Sequence, residues 1–201
     1  MNPITLLKLF FTPTKGWEAL MKNQPSMHRL YLLHVIPFSL IPPLMIYLAG
    51  NMHSEMFFEL LPGNKLIIVA VAFFLVELVA VPAMAIVIRQ LAEVAEIHPS
   101  YKDSLTLAAV APTPLWMAPV FLAVPSILVN ILVASLAMMA SAGFIYYGIP
   151  KVFKIEEEGH ALLLFGAILM AGVTAWGFLM VSTLMVWGAV QNLHFAAGPL
   201  H

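Results

Sequence analysis

Cysteine is absent from the 201 residues, which excludes disulfides, thiolate metal sites and cysteine nucleophiles and leaves the redox compartment open. Charge is nearly as scarce. Nine Lys plus Arg and ten Asp plus Glu amount to 9% of the chain, where a soluble domain carries roughly a quarter. So few charges cannot cover a globule of 22.1 kDa, and most of the surface must therefore face hydrocarbon. A net charge of −1 without a polybasic run supplies no field for nucleic acid, so none is expected as a partner. Enzyme signatures are missing as well: no G-x-S-x-G, no phosphate-cradling glycine loop, no acid and base carboxylates paired in one span. No catalytic residue and no cofactor is assigned. Neither low-complexity tracts nor repeats of 20 to 50 residues occur, so one domain is expected.

What is present is apolar: 62% of residues are hydrophobic and the mean hydropathy is +0.95. A helix needs about 20 apolar residues to cross the roughly 30 Å hydrocarbon core. Five stretches qualify, at about 30–49, 66–88, 105–124, 126–149 and 161–190, which predicts an all-α polytopic membrane protein with the lipid bilayer as its solvent. Lys8, Lys15, Lys22, Arg29, Arg89, Lys102, Lys151 and Lys154 all fall on one side of these spans, and only Lys65 on the other. Lys and Arg gather on the cytoplasmic side of short loops, so the N-terminus is predicted in the cytoplasm and the C-terminus outside. Residues 1–29 precede a membrane domain over 30–201. They read as an amphipathic segment lying in the cytoplasmic headgroup layer, with Trp17 as anchor and Thr12 or Thr14 capping a short helix. Tyr31, Tyr146 and Tyr147 on the inner side and Tyr47 and Trp187 on the outer side fit interfacial belts.

One charge breaks the pattern. Glu77, in LVELVAVP, stands near the middle of the second span, where an ionised carboxylate is costly; it must be protonated, paired, or open to a water-filled cavity. No Lys or Arg shares its depth, but the hydroxyls of Thr113, Ser135 and Thr174 do. Prolines are the second anomaly: Pro37, Pro42 and Pro43 in the first span, Pro82 in the second, and Pro112, Pro114 and Pro119 in the third. Each interior proline frees a carbonyl, so the third span should be kinked or partly unwound, and APTPLWMAP (111–119), with Pro112 and Pro114, is the candidate cavity lining beside Glu77. Small residues four apart, Ala137 and Ser141, then Ala167, Ala171 and Ala175, mark the last two spans as packing helices. The fifth apolar run exceeds a bilayer's thickness and must tilt or project.

Glu93, Glu96 and His98 in one cytoplasmic segment, and Glu156, Glu157 and His160 in another, are the candidate metal ligands. Carboxylate plus imidazole suits zinc or manganese, although no H-E-x-x-H or paired His at i, i+4 occurs; the competing reading is a solvated acidic rim.

Three segments carry a family resemblance. APTPLW (111–116), YYGIPKVFKIEEEGHAL (146–162) and FFTPTKGWEAL (10–20) are similar to the bacterial branch of the Yip family, relatives of the Ypt/Rab-interacting proteins. The resemblance implies five membrane helices and a cytoplasmic N-terminus. The acidic-aromatic N-terminal motif of eukaryotic members, which bears on GTPase binding, has no counterpart among residues 1–29, and Ala108 and Ala109 stand where the family often has Gly-Tyr. A Rab-type GTPase partner is therefore not expected. Two functions remain. The first is a non-catalytic, membrane-organising or partner-binding protein of the bacterial inner membrane, with a homo-oligomer or a second membrane protein as candidate partner. The other is a small transporter or channel. Transport requires Glu77 to face the bundle or a cleft together with residues 111–119; scaffolding requires it buried against one hydroxyl, with no continuous cavity.

Overall fold

A computed structural model describes residues 3–52 and 63–196 of the chain, and every regular element among them is helical. Two short helices, α1 (Pro3–Phe11) and α2 (Pro13–Lys22), precede the membrane domain. The first span, Met27–Met52, is assembled from α3 (Met27–Leu30), a π-helical turn at Tyr31–Val35, α4 (Ile36–Ser39) and α5 (Ile41–Met52). The second lies in α6 (Gly63–Val94). The third, Tyr101–Ala123, is broken into α7 (Tyr101–Val110), α8 (Thr113–Met117) and a 3₁₀ segment, Ala118–Ala123. The fourth is α9 (Ile127–Phe153), and the fifth belongs to α10 (Glu158–Ala196). At 1.5 Å per residue the 39 residues of α10 extend about 58 Å, so the last helix outruns the hydrocarbon core, as its length predicts.

Local chemistry explains where these helices begin and bend. Ser26, Ser100 and Ser126 stand immediately before α3, α7 and α9, and each hydroxyl accepts the N–H of the residue three positions on, satisfying a donor that the first helical turn leaves free. A proline at position i cannot donate to the carbonyl at i−4. Pro82 thus frees the Leu78 carbonyl, and the Tyr31 hydroxyl donates to it from the first span. Pro114 frees the Val110 carbonyl, which takes a hydrogen bond of 2.6 Å from the Thr113 hydroxyl. Hydrocarbon offers no water to substitute, so these two side chains satisfy the carbonyls that Pro82 and Pro114 free. Tyr31 therefore does more than sit in an interfacial belt: it joins the first and second spans.

The N-terminal segment departs from the predicted headgroup anchor. Trp17 is fully buried, in one core cluster with Leu9, Leu20, Leu30, Leu107 and Ile149, so its indole is held by protein rather than by lipid headgroups. Helices α1 and α2 form a hairpin around Gly16, where a Cβ would come 2.6 Å from the Leu9 backbone nitrogen. Gly148 of α9 leaves a matching notch: a Cβ there would lie 2.8 Å from the Trp17 ring. Polar ties add to the packing. Glu18 pairs with Lys151 at 2.7 Å, and the Gln24 amide donates to Asp103 (3.0 Å) and Thr106 (3.1 Å). Thr12 precedes α2, but its hydroxyl donates backwards to the Lys8 carbonyl at 3.2 Å and caps nothing. Amphipathic character survives on the far face, where Ile4, Leu7 and Phe11 are exposed beside Lys8.

These contacts gather the beginnings of the first and third spans and the end of the fourth at one end of the bundle, which we call the basic end. The second and fourth spans finish there on left-handed, non-glycine residues, Glu96 (φ 61°) and Lys154 (φ 55°). Ile97 and Ile155 then fold back, their N–H groups bonding the carbonyls of Ala92 and Pro150. A smaller apolar cluster of Leu66, Val69 and Val190 closes the opposite end.

Candidate functional site

Between the spans lies a cavity of about 520 Å³ whose walls are contributed by all five of them. The walls are apolar except at four residues: Glu77 on α6, Trp116 on α8, Ser141 on α9 and Trp176 on α10. Among the described residues no Lys, Arg or His lines it. The proline-broken third span supplies Ala111, Pro112, Leu115, Trp116 and Pro119, so the segment 111–119 and Glu77 share one cavity. The break is what admits Trp116. Restarting the helix at Thr113 turns the indole toward α6, where its Nε1–H donates to Glu77 Oε1 at 3.0 Å. Glu77 is 5% exposed, and its Oε2 has no hydrogen-bond partner. Ser141 Oγ, on the α9 wall of the same cavity, is likewise buried and unpartnered.

None of the three hydroxyls at the depth of Glu77 is the partner found for it. Ser135 and Thr174 are exposed on the outside of the bundle, where each donates to the carbonyl one turn back in its own helix, Ile131 and Met170, at 2.8 Å. Thr113 is fully buried but faces the first span, with Oγ1 3.0 Å from His34 Nε2. A hydroxyl has one proton, and Thr113 spends it on Val110, so His34 Nε2 is the donor in that contact. His34 sits in the π-helical turn, fully buried, its ring 6.3 Å from that of Trp116. A layer of His34, Thr113 and Trp116 thus stands behind Glu77. Pro112 lines the cavity, while Pro114 is buried behind it.

Two of these residues escaped the sequence reading. Trp116 falls inside the proline-rich segment, yet its indole N–H carries a signal: a tryptophan at mid-span, far from the interfacial belts, needs an acceptor. Ser141 reads as a small packing residue, and nothing in its spacing marks it as polar lining.

The cavity is not sealed from the bilayer. Met139 (62% exposed) and Val173 (57% exposed) both line it, so it opens sideways between α9 and α10. Those two helices bury the least of themselves among the five spans.

The candidate metal ligands lie at the basic end. Glu96, Glu156, Glu157 and His160 line an open cleft of about 560 Å³ together with Ile97, Phe153 and Lys154. Glu157 pairs with His160 at 2.7 Å and Glu93 with Arg89 at 2.9 Å, and His98 is exposed. Among the described residues no three His, Asp or Glu side chains form a group able to hold a metal ion.

Five membrane-crossing helices around an intramembrane cavity, with charge confined almost entirely to their ends, define a multi-pass integral membrane protein. The Yip1 domain matches residues 7–179, and the chain belongs to the Yip1 domain family. Among curated relatives, the inner membrane protein YohC of Escherichia coli strain K12 is 24% identical over 187 residues, covering 90% of this chain and 94% of that protein. The YohC of strain O6:H1 matches to the same extent. No solved structure matches the chain. With inner-membrane relatives along almost its whole length, the chain is a multi-pass protein of the inner membrane.

Proposed function

We propose that this protein is a non-catalytic solute-handling protein, of the transporter class rather than the scaffold class. It takes a small, mostly apolar molecule from the bilayer through the opening between α9 and α10 and holds it beside Glu77. The basic end is taken as cytoplasmic, following the distribution of Lys and Arg. The observation that carries the reading is that Glu77 stands on the wall of a cavity of about 520 Å³, shared with the broken third span, with one carboxyl oxygen unpartnered. That volume falls within the roughly 300–1,000 Å³ of small-molecule sites, and a mostly apolar lining with a few convergent polar groups is their usual composition. A metal ion fits poorly: calcium takes six to eight oxygen ligands, and here one carboxylate stands alone.

Gly172 supplies the test. It lines the cavity, and a Cβ at that position meets no atom within 4 Å, so Gly172→Phe should fill the cavity without disturbing the helix. In nanodiscs, 1-bromonaphthalene should quench tryptophan fluorescence saturably in the wild type, through Trp116 and Trp176. In Gly172→Phe only the linear quenching of dissolved probe should remain. Linear quenching in both would defeat the proposal.

A second reading, membrane organisation, is supported by the N-terminal hairpin, whose exposed Ile4, Leu7 and Phe11 beside Lys8 suit insertion into an anionic surface. This second reading rests on the hairpin alone, because the cavity beside Glu77 is what scaffolding does not call for.

A further inference from the structure

The cavity's charge balance narrows what can occupy it. Glu77 Oε1 is committed to Trp116, which leaves Oε2 as an acceptor without a donor, and Ser141 Oγ is a second buried polar atom without a partner. In a medium that cannot hydrate them, both are costly unless a guest supplies the hydrogen bonds. A carboxylate in such a place also needs a positive charge, either a proton or a cation, and no basic side chain lines the cavity among the described residues. Phosphate or carboxylate groups are disfavoured for the same reason, since they would meet Glu77 with no Lys or Arg to offset them. The same charge argument disfavours anionic phospholipid headgroups. The rest of the wall suits a compact organic cation: Trp176 and Phe73 contribute aromatic rings, and Met138 and Met139 adapt to varied shapes.

We infer that the cavity is a binding site for lipophilic monocations of the ammonium type, whose N–H groups bond the free oxygen of Glu77 and the Ser141 hydroxyl while their apolar bodies fill the space between α6, α9 and α10. This inference rests on the solute-handling reading above and specifies the chemistry of the solute. Access from hydrocarbon between α9 and α10 matches the partitioning of such molecules, which dissolve in the bilayer before they meet the protein.

Two near-isosteric probes separate charge from shape. Dibenzylamine is cationic at neutral pH and carries two N–H donors, whereas dibenzyl ether replaces the nitrogen with an oxygen that has none. Each is titrated calorimetrically into nanodiscs bearing the full-length protein, with empty nanodiscs subtracted. The wild type should bind the amine about tenfold to a hundredfold more tightly than the ether, as a hydrogen bond to a charged group implies. Glu77→Gln should bring that ratio close to one with ether binding unchanged, and Ser141→Ala should lower amine affinity by a smaller factor. Equal affinities in the wild type would overturn the inference while leaving the solute-binding reading intact. Saturable binding of neither probe would count against both. Since the wild-type ratio needs no variant, the inference stays open to refutation even if Glu77→Gln fails to assemble.

Discussion

Alanine at position 148 should destabilise the protein even though alanine is the better helix former. A Cβ added to Gly148 would sit 2.8 Å from Trp17 Cε2 and Cζ2 and 2.9 Å from Leu107 Cδ1. Carbon atoms pack best at about 3.5–4.0 Å, so the added methyl overlaps three atoms by roughly an ångström each. Leu107 can turn its methyl aside, but the indole is rigid and fully buried, and its surroundings cannot give way without moving α2. Helix propensity favours alanine over glycine by about 1 kcal/mol, whereas overpacking of a filled core costs about 1–3 kcal/mol and occasionally more. The rigid indole and the three simultaneous overlaps put the cost at about 2–3 kcal/mol, the upper part of that range, so the net expectation is a loss of about 1–2 kcal/mol, measured by reversible unfolding in SDS-containing mixed micelles. The partner substitution identifies the cause. Trp17→Leu alone should cost several kcal/mol through lost burial, but combined with Gly148→Ala it should cost less than the sum by at least about 1 kcal/mol, because the overlap is gone. A Gly148→Ala protein as stable as the wild type, or strictly additive effects, would refute the argument that α2 is keyed into α9 through this notch.

Gly16→Ala should open the N-terminal hairpin, since its Cβ would press on the backbone of Lys8 and Leu9, where no side chain can turn away; a loss of about 1–3 kcal/mol and faster tryptic cleavage at Lys8 and Lys15 are expected. Thr113→Val keeps the shape but leaves the Val110 carbonyl and His34 Nε2 unpaired, so unfolding free energy should fall by about 1–3 kcal/mol, with Thr113→Ser restoring most of it. Trp116→Phe strips Glu77 of its donor and should cost a similar amount. Adding Glu77→Leu should recover stability, because removing both partners of a buried hydrogen bond is nearly neutral; an equally unstable double variant would argue against the contact.

What the sequence disclosed follows from what is local. Span count and the alternation of positive charge depend on composition along the chain, and the break in the third span depends on prolines that lack an N–H wherever they stand; each appears in the structure. Contacts between spans are another matter. Depth selects Thr113, Ser135 and Thr174 as neighbours of Glu77, but depth is only one coordinate. The rotation of each helix about its own axis is the other, and it turns Ser135 and Thr174 outward and Thr113 toward His34. The partner found, Trp116, is 39 residues from Glu77 and reaches it through the restart of the helix at Thr113. Trp17 shows the same limit. An amphipathic pattern does not distinguish a face turned to headgroups from one turned to protein.

The sideways opening past Met139 and Val173 has a bearing on how affinity is to be expressed for this molecule. On the proposed function, a guest arriving from hydrocarbon would be governed by its mole fraction among lipids, so diluting the aqueous phase would leave occupancy almost unchanged while adding protein-free vesicles would deplete it. Dissociation constants quoted per litre of water will drift with the lipid-to-protein ratio. Potency across a series of solutes will track their partition into the bilayer until that contribution is divided out, and only the remainder reports on Glu77 and its neighbours.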